Sequence, residues 1–524
     1  MASFKWLISL MLLTCQVLRQ VHSVEEASHC TSVAGMVKLL ELEDQLIQNL
    51  EDYADELEKK LDTVRRSIDS LRLENQKARS TTVDYLSNPL NSFSLIRRMN
   101  RDWLIWQLYM EDQVGLTQAD KIQSLREEMP TSTDVEEAVS ALDRIQVTYG
   151  LKVEDIAKGL LNGNQYPVSL TALDSYAMAQ ILFDQGRLYG ASRWIYQTLT
   201  WMENFKLAEP FLLAKDEVRT FYAETLLKLN QKADALKVVN IALTDKPHDI
   251  KLLVKKMEIE ALIRTGTSNQ QPQPTNPLSN PNSHPTLYEM GCRGMYPPST
   301  DSKLLCRYNS TTTPFLTLAP LKMEVVGLNP YMVIYHDVLS TAEIEEMKEM
   351  ATPSLKRATV FKASEGKNTV VKTRTSKVAW FPDSYNSLTL RLNARINDMT
   401  GFDLSGSEML QLMNYGLGGH YDRHYDFFNT TQQNSSALTG DRIATVLFYM
   451  SDVEQGGATV FPTIHKTVYP QRGSAIMWYN LKDDGEPDEL TLHAACPVLV
   501  GSKWVCNKWI RERAQFRSRP CLKK

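Results

Sequence analysis

Long apolar runs are missing from this chain. No stretch reaches the roughly 18 residues that a membrane-spanning helix needs, so no transmembrane helix is expected. Charge of one sign is missing too: 58 lysines and arginines nearly balance 62 aspartates and glutamates, for a net charge of −4. Nothing in that balance favours polyelectrolyte attraction to nucleic acid. Glycine and proline are sparse, 23 and 22 in 524 residues, which excludes a collagen-like or low-complexity chain. Seven cysteines are too few for a disulfide framework to replace a hydrophobic core at this length. No His-Glu-x-x-His run occurs, which argues against the usual zinc-hydrolase pairing of two imidazoles with a general base. What remains is ordinary globular composition, 43% apolar and 23% charged, at a length that predicts about three folded units.

The first 23 residues carry a secretory pattern. Lys5 precedes a mostly apolar Trp6–Leu18, and Val21, His22 and Ser23 offer a small-residue cleavage point. That address implies an oxidising lumen. Beyond Cys15, the six cysteines Cys30, Cys292, Cys306, Cys496, Cys506 and Cys521 are left. Short separation favours Cys292 with Cys306 and Cys496 with Cys521, leaving Cys506 as a buried free thiol. Sequons at Asn309, Asn429 and Asn434 fit the same compartment. The final Cys521-Leu522-Lys523-Lys524 is no lumenal retention signal, so export or retention by a partner is expected.

Residues 33–75 repeat every seven residues: Leu40, Ile47, Ala54, Leu61 and Ile68, with Leu50, Leu57, Val64 and Leu71 three residues out of phase. The narrow seam and charged flanks predict a long helix that pairs with another helix, within a helical dimerisation region over 24–145. A helical module follows over 146–265. Its segments Leu173–Leu199 and Val218–Leu243 place small residues where helices cross and resemble tetratricopeptide repeats. A Pro-, Asn- and Gln-rich linker over 266–287 closes it. From 288 to 524 the texture becomes short strands, among them Met323–Val326, Tyr331–Tyr335, Arg442–Met450, Ser474–Tyr479 and Trp504–Trp509. Helices are expected at Thr341–Met350, capped by Ser340 with Glu343, and at Leu388–Met399. The expected fold is multidomain, α then α+β, ending in a β-sandwich or jelly-roll barrel.

Within that last part, His424 and Asp426 stand two residues apart, which on a strand puts both side chains on one face. His493 follows on a later strand. Two imidazoles and a carboxylate on one side of a metal leave adjacent positions open for a bidentate 2-oxo acid and O₂, the facial triad of non-haem Fe(II) oxygenases. Lys503 opens the next apolar strand, where a cation would pair with the far carboxylate of 2-oxoglutarate. Gly-rich turns run through Asn414–Arg423 and Gly456–Pro462. His420, four residues before His424, lies about 13 Å from it on a strand, too far to share its metal, and His465 is expected in a solvated loop.

The segments Asn414–Asp426, Arg442–Pro462, Trp478–Leu481 and His493–Trp509 resemble the α subunits of collagen prolyl 4-hydroxylase. The similarity extends over essentially the whole mature chain. It implies a double-stranded β-helix oxygenase domain behind a peptide-binding helical module, with Fe(II) at His424, Asp426 and His493. It further implies 2-oxoglutarate anchored by Lys503, with Tyr415 as a hydrogen-bond partner. Proline C4 would be hydroxylated as O₂ is split and 2-oxoglutarate decarboxylated, with L-ascorbate restoring oxidised iron. The partner it implies is protein disulfide isomerase, in an α₂β₂ tetramer held in the endoplasmic reticulum lumen.

Two departures stand out against that pattern. Arg511 occupies a position near the co-substrate where the family usually has histidine; it stays cationic but is bulkier and does not titrate. In the helical module Phe221 keeps an aromatic, but Glu224 and Leu227 stand where tyrosines would stack on proline rings. Altered substrate choice is therefore expected. The rival readings are a non-catalytic assembly subunit and an oxygenase that acts on a different residue such as lysine.

Overall fold

The computed structural model describes residues 32–205, 211, 213–265, 284–299, 301–362, 367–369, 373–428 and 439–519. The leader, Cys30, Cys521, most of the linker, Asn429 and Asn434 lie outside them. The chain divides into a compact unit of residues 36–130 and another that includes 131–524. The expected boundary at 145/146 falls inside a helix, Ser132–Tyr149.

In the smaller unit the heptad region is one helix, Val33–Ser80, of 48 residues. One flank is covered by the returning chain. Asn49 Nδ2 donates to Gln118 O at 3.0 Å, and Gln118 Nε2 donates to Glu56 Oε1 at 3.1 Å. Gly115, at φ 96°, lets the chain pass the ring of Tyr53, where a Cβ would come within 2.5 Å. The seam itself stays bare: Leu40, Ile47, Leu50, Leu57, Leu61 and Ile68 are all exposed.

The larger unit opens with helices that begin at reciprocal caps, Thr131 with Asp134 and Thr171 with Asp174. Helices Ala172–Asp184, Leu188–Asn204, Lys215–Lys228, Lys232–Asp245 and Ile250–Arg264 each pack on the next. Ala179, Ala191, Ala223, Ala235 and Ala242 on these helices are fully buried.

The two larger sheets that follow are built from strands β1 Cys306–Asn309, β2 Leu321–Leu328, β3 Tyr331–His336, β4 Lys356–Arg357, β5 Lys377–Phe381, β6 Leu410–Tyr415, β7 Tyr421–His424, β8 Arg442–Tyr449, β9 Thr459–Phe461, β10 Lys466–Val468, β11 Ala475–Tyr479, β12 His493–Ala495 and β13 Lys503–Arg511. Nine form one antiparallel sheet in the order β1-β2-β3-β11-β8-β13-β6-β5-β4, and a second sheet runs β7-β12-β9-β10. Alternation along the strands decides what covers each face. On β8, Ala444, Val446 and Phe448 join Ile344 and Met347 of the helix Thr341–Ala351 and Leu392 and Ile396 of the helix Ser387–Thr400. Leu447 and Tyr449 point the other way, to Phe461 and Ala495 of the smaller sheet. Both helices start at the expected places, and Ser340 and Glu343 form the expected capping box.

The helix Ser132–Tyr149 belongs to this body. Ile145 and Tyr149 pack with Val460 and Ala494, Arg144 Nη1 donates to Gly418 O at 2.7 Å, and Tyr149 OH donates to Pro497 O at 2.5 Å.

Two expectations need correction. Cys292 pairs with Cys496, not with Cys306, so Cys496 is also unavailable to Cys521. Cys292 ends the helix Leu287–Cys292, which packs against the ligand-bearing sheet beside Cys496, while Cys306 opens β1 at the edge of the larger sheet and is free and exposed. Cys506 is a buried free thiol, as expected. Asn309 is a poor glycan acceptor because it is buried, with Nδ2 donating to Met399 O at 3.3 Å. Non-reducing peptide mapping is therefore expected to recover Cys292 linked to Cys496 and an unmodified Asn309. A Cys292–Cys306 peptide or a glycan on Asn309 would contradict this packing.

Candidate metal centre

Strands β7 and β12 pair antiparallel with His424 directly opposite His493, which sets the two rings 4.2 Å apart between centroids. Asp426 lies beyond the end of β7, on a bend. The turn, rather than the pleat, therefore returns its carboxylate to the histidines. Asp426 Oδ1 is 3.8 Å from His424 Nε2 and Oδ2 is 3.7 Å from His493 Nε2, separations that ligand bonds of about 2 Å span. Among the described residues these three form the one such cluster of potential ligands.

The rings are held with the correct nitrogen forward. His424 Nδ1 sits 2.7 Å from Asp422 O and His493 Nδ1 2.9 Å from Thr491 O, so each Nδ1 donates to a carbonyl and each Nε2 lone pair faces the carboxylate. Burial, with His493 nearby, lowers the His424 pKa to about 3, so the ring is neutral and ready to ligate. Burial alone would raise Asp426, but His493, His424 and Arg442 outweigh it and hold the carboxyl below its ordinary value. Two imidazole nitrogens and one carboxylate suit a divalent cation.

Further contacts fix the carboxylate. Thr445 Oγ1 donates to Asp426 Oδ2 at 2.7 Å and in turn accepts from Asn480 Nδ2 at 2.9 Å. Arg442 Nη1 donates to Asp426 O at 3.2 Å while Glu408 grips its guanidinium at 2.6 and 2.7 Å. Tyr421 stacks on His424 at 3.6 Å, and Trp478 meets His493 edge-on at 4.9 Å. Thr445→Val is expected to weaken metal affinity about 10- to 100-fold. Titration against a competing chelator checks this, and an unchanged affinity would show that the hydroxyl does not orient Asp426.

Lys503 lines the same cavity as the triad. It opens β13 opposite Tyr415 of β6, is fully buried, and donates from Nζ to Gly457 O at 2.6 Å. Burial lowers its pKa to about 7. The turn at Gly456 and Gly457, at φ 80° and 67°, wraps this side chain, and a Cβ on Gly457 would press within 3.4 Å of Lys503 Cδ. Tyr415 also lines the cavity; its phenol, pushed up to about 12 by burial, stays protonated as a donor.

Arg511 is placed elsewhere. At the far end of β13 its guanidinium pairs with Glu408 at 2.9 Å, donates to Gly440 O at 2.8 Å and stacks over Phe428, outside the cavity lining. His420 is buried with Nδ1 2.9 Å from Thr375 Oγ1 and is not part of the cluster. His465 is exposed at a left-handed turn, φ 52°, as expected. Sequence reasoning missed Arg374, Thr445, Trp478, Asn480 and Asn507 around the cavity and its carboxylate. Thr445 and Asn507, polar residues inside the buried strands Arg442–Tyr449 and Lys503–Arg511, carried a local signal.

A family model described as "Prolyl 4-Hydroxylase alpha-subunit, N-terminal region" matches residues 32–163, and one described as "2OG-Fe(II) oxygenase superfamily" matches residues 410–511. Prolyl 4-hydroxylase subunit alpha-2 of Gallus gallus is 34% identical over 517 residues, covering 95% of each chain. Subunit alpha-1 of Rattus norvegicus is 35% identical over 511 residues, covering 94% of this chain and 95% of its own. Subunit alpha-2 of Caenorhabditis elegans is 34% identical over 506 residues, covering 94% and 93%. With that identity sustained from the helical region through the metal cluster, the chain belongs to the prolyl 4-hydroxylase α-subunit family.

Proposed function

We propose that this chain hydroxylates peptidyl proline at C4 in proteins of the secretory pathway, turning 2-oxoglutarate and O₂ into succinate and CO₂ as it does so. The observation that carries this is one buried cavity lined by His424, Asp426, His493 and Lys503 together. The donor set fits Fe(II). The cavity also fits a polar co-substrate: Trp478 Nε1 lines it, buried without a protein partner. His424, Asp426 and His493 would hold the iron, which supplies O₂ activation when bound. Lys503 would pair with the far carboxylate of 2-oxoglutarate and Tyr415 would donate to it. Trp478 walls the space, backed by Phe461 at 5.4 Å, and helps exclude water. L-ascorbate would serve to restore iron oxidised without product.

The five helices between Ala172 and Arg264 are read as the tetratricopeptide-like substrate module, and the strand body as a double-stranded β-helix. Tyr176 and Phe221 lie edge-on to one another, as do Phe183 and Phe221, and Lys228 stands over Phe183. Beside them Glu224 pairs with Lys255 at 3.3 Å, and Leu227 packs into the module's own core. Neither offers a ring for a proline to stack on, which supports weaker binding of long proline-rich chains. The bare heptad seam supports pairing with another helix. Protein disulfide isomerase is proposed as the partner, and the endoplasmic reticulum lumen as the site of action.

The test co-expresses the mature chain with protein disulfide isomerase and supplies Fe(II), 2-oxoglutarate and ascorbate. Mass spectrometry then scores the gain of one oxygen on proline in (Pro-Pro-Gly)-repeat peptides and in a lumenal extract. Gain in either, absent in His424→Ala, is the expected result. Gain on lysine alone, or none with an intact assembly, would overturn it.

A further inference from the structure

The cavity has a second cation at the end away from Lys503. Along β6 the inward residues are Tyr415, Met413 and Gln411, set opposite Lys503, Val505 and Asn507 of β13. Lys503 therefore marks one end, and Gln411 and Asn507 mark a level about 13 Å further along the strand. Arg374 reaches in at that second level, with Nη2 donating to Gln411 Oε1 at 3.0 Å and to Met413 Sδ at 3.1 Å. Its guanidinium lies 4.8 Å over the Tyr421 ring, and Tyr421 stacks on His424. Arg374 is 6% exposed, and its Nε is buried with no hydrogen-bond partner. Trp509 Nε1, also on the lining, is buried and unpartnered in the same way. Buried donors without acceptors are costly unless a ligand supplies the acceptor.

The chemistry of that ligand follows from the donors. A prolyl peptide bond has no N–H, so at the target proline itself the backbone offers carbonyl oxygen and no donor. A site that grips the chain at that residue must therefore supply donors, and Arg374 Nε and Trp509 Nε1 are two such donors left without acceptors. The five-carbon co-substrate, tethered at Lys503, occupies the opposite end.

We infer that Arg374 is a substrate-binding residue that donates from Nε to a backbone carbonyl oxygen next to the target proline, holding that residue over the metal cluster. This rests on the prolyl hydroxylase reading above and adds to it the group that grips the peptide at the reacting centre.

The test uses the full chain in its assembly with protein disulfide isomerase, as wild type, Arg374→Gln and Arg374→Lys. The KM for a (Pro-Pro-Gly)-repeat peptide is measured at saturating 2-oxoglutarate. Calorimetry on the Mn(II)-loaded protein gives the 2-oxoglutarate dissociation constant separately. Loss of a charge-assisted bond predicts that Arg374→Gln raises the peptide KM about 10- to 100-fold, with partial recovery in Arg374→Lys. The 2-oxoglutarate constant is expected to move less than about threefold, which also shows that the variant is folded. An unchanged peptide KM would overturn the inference. Equal weakening of peptide and 2-oxoglutarate would overturn it too, by assigning Arg374 to the co-substrate end or to the frame. A wild type that binds 2-oxoglutarate but oxidises no proline would defeat the underlying reading, and this inference with it.

Discussion

His424→Ala and His493→Ala are each expected to cut proline hydroxylation by at least about a thousandfold. Losing a ligand forfeits several kcal/mol of metal assistance, and each 1.36 kcal/mol is a factor of ten. The effect should fall on turnover rather than peptide affinity, because the helices of the module stand apart in sequence and packing from β7 and β12. Thermal melts should change little. Each ring is held by a single carbonyl through Nδ1, and the surrounding Trp478 and Phe461 remain in place. The check is rate against added Fe(II) for both variants. Activity recovered at high iron would mean weakened binding, and unaltered activity at ordinary iron would remove these residues from the centre.

The second large effect belongs to Lys503. Lys503→Ala removes the buried amine proposed to pair with 2-oxoglutarate, and the KM for 2-oxoglutarate is expected to rise about 10²- to 10³-fold. Peptide KM should hardly move. The same residue sets a pH dependence. Its pKa is lowered by burial to about 7 while no carboxylate is bound, and an anion must pair with the protonated amine. Above about pH 7 binding must therefore take up a proton, and affinity should fall close to tenfold per unit until the bound-state pKa is passed. Below pH 7 the amine is already charged and this dependence disappears. Calorimetry in buffers of different ionisation enthalpy counts the proton directly. Affinity that rises with pH in this window would contradict the assignment.

The strands were legible because alternation along Arg442–Tyr449 and Lys503–Arg511 has a physical cause, two faces covered by different partners. The heptad helix was legible for a similar reason: its apolar positions form one seam. Within the candidate site, His424, Asp426, His493 and Lys503 were legible as types at a spacing, and the structure brings all four to one cavity. How Asp426 gets there was not, since the bend after β7 has the same local sequence as a strand continuation. Cys292 and Cys496 were unreadable as a pair because 204 residues separate them and only the packing of a helix on the smaller sheet joins them. Arg511 was placed near the co-substrate by the family resemblance alone, and in the structure its guanidinium pairs with Glu408, from a preceding loop. Arg374 had no signal at all: a single arginine in a loop becomes notable only when its Nε is seen to be buried without an acceptor.

The central claim is that one cavity couples 2-oxoglutarate to proline oxidation. Its most direct test runs wild type and His424→Ala under heavy-isotope oxygen gas, with succinate and peptide both read by mass spectrometry. Coupled turnover predicts one heavy oxygen atom in hydroxyproline and one in succinate, in equal amounts, and neither in the variant. Peptide captured by the intact assembly with no heavy oxygen in either product would contradict it, and would leave the chain a binding subunit.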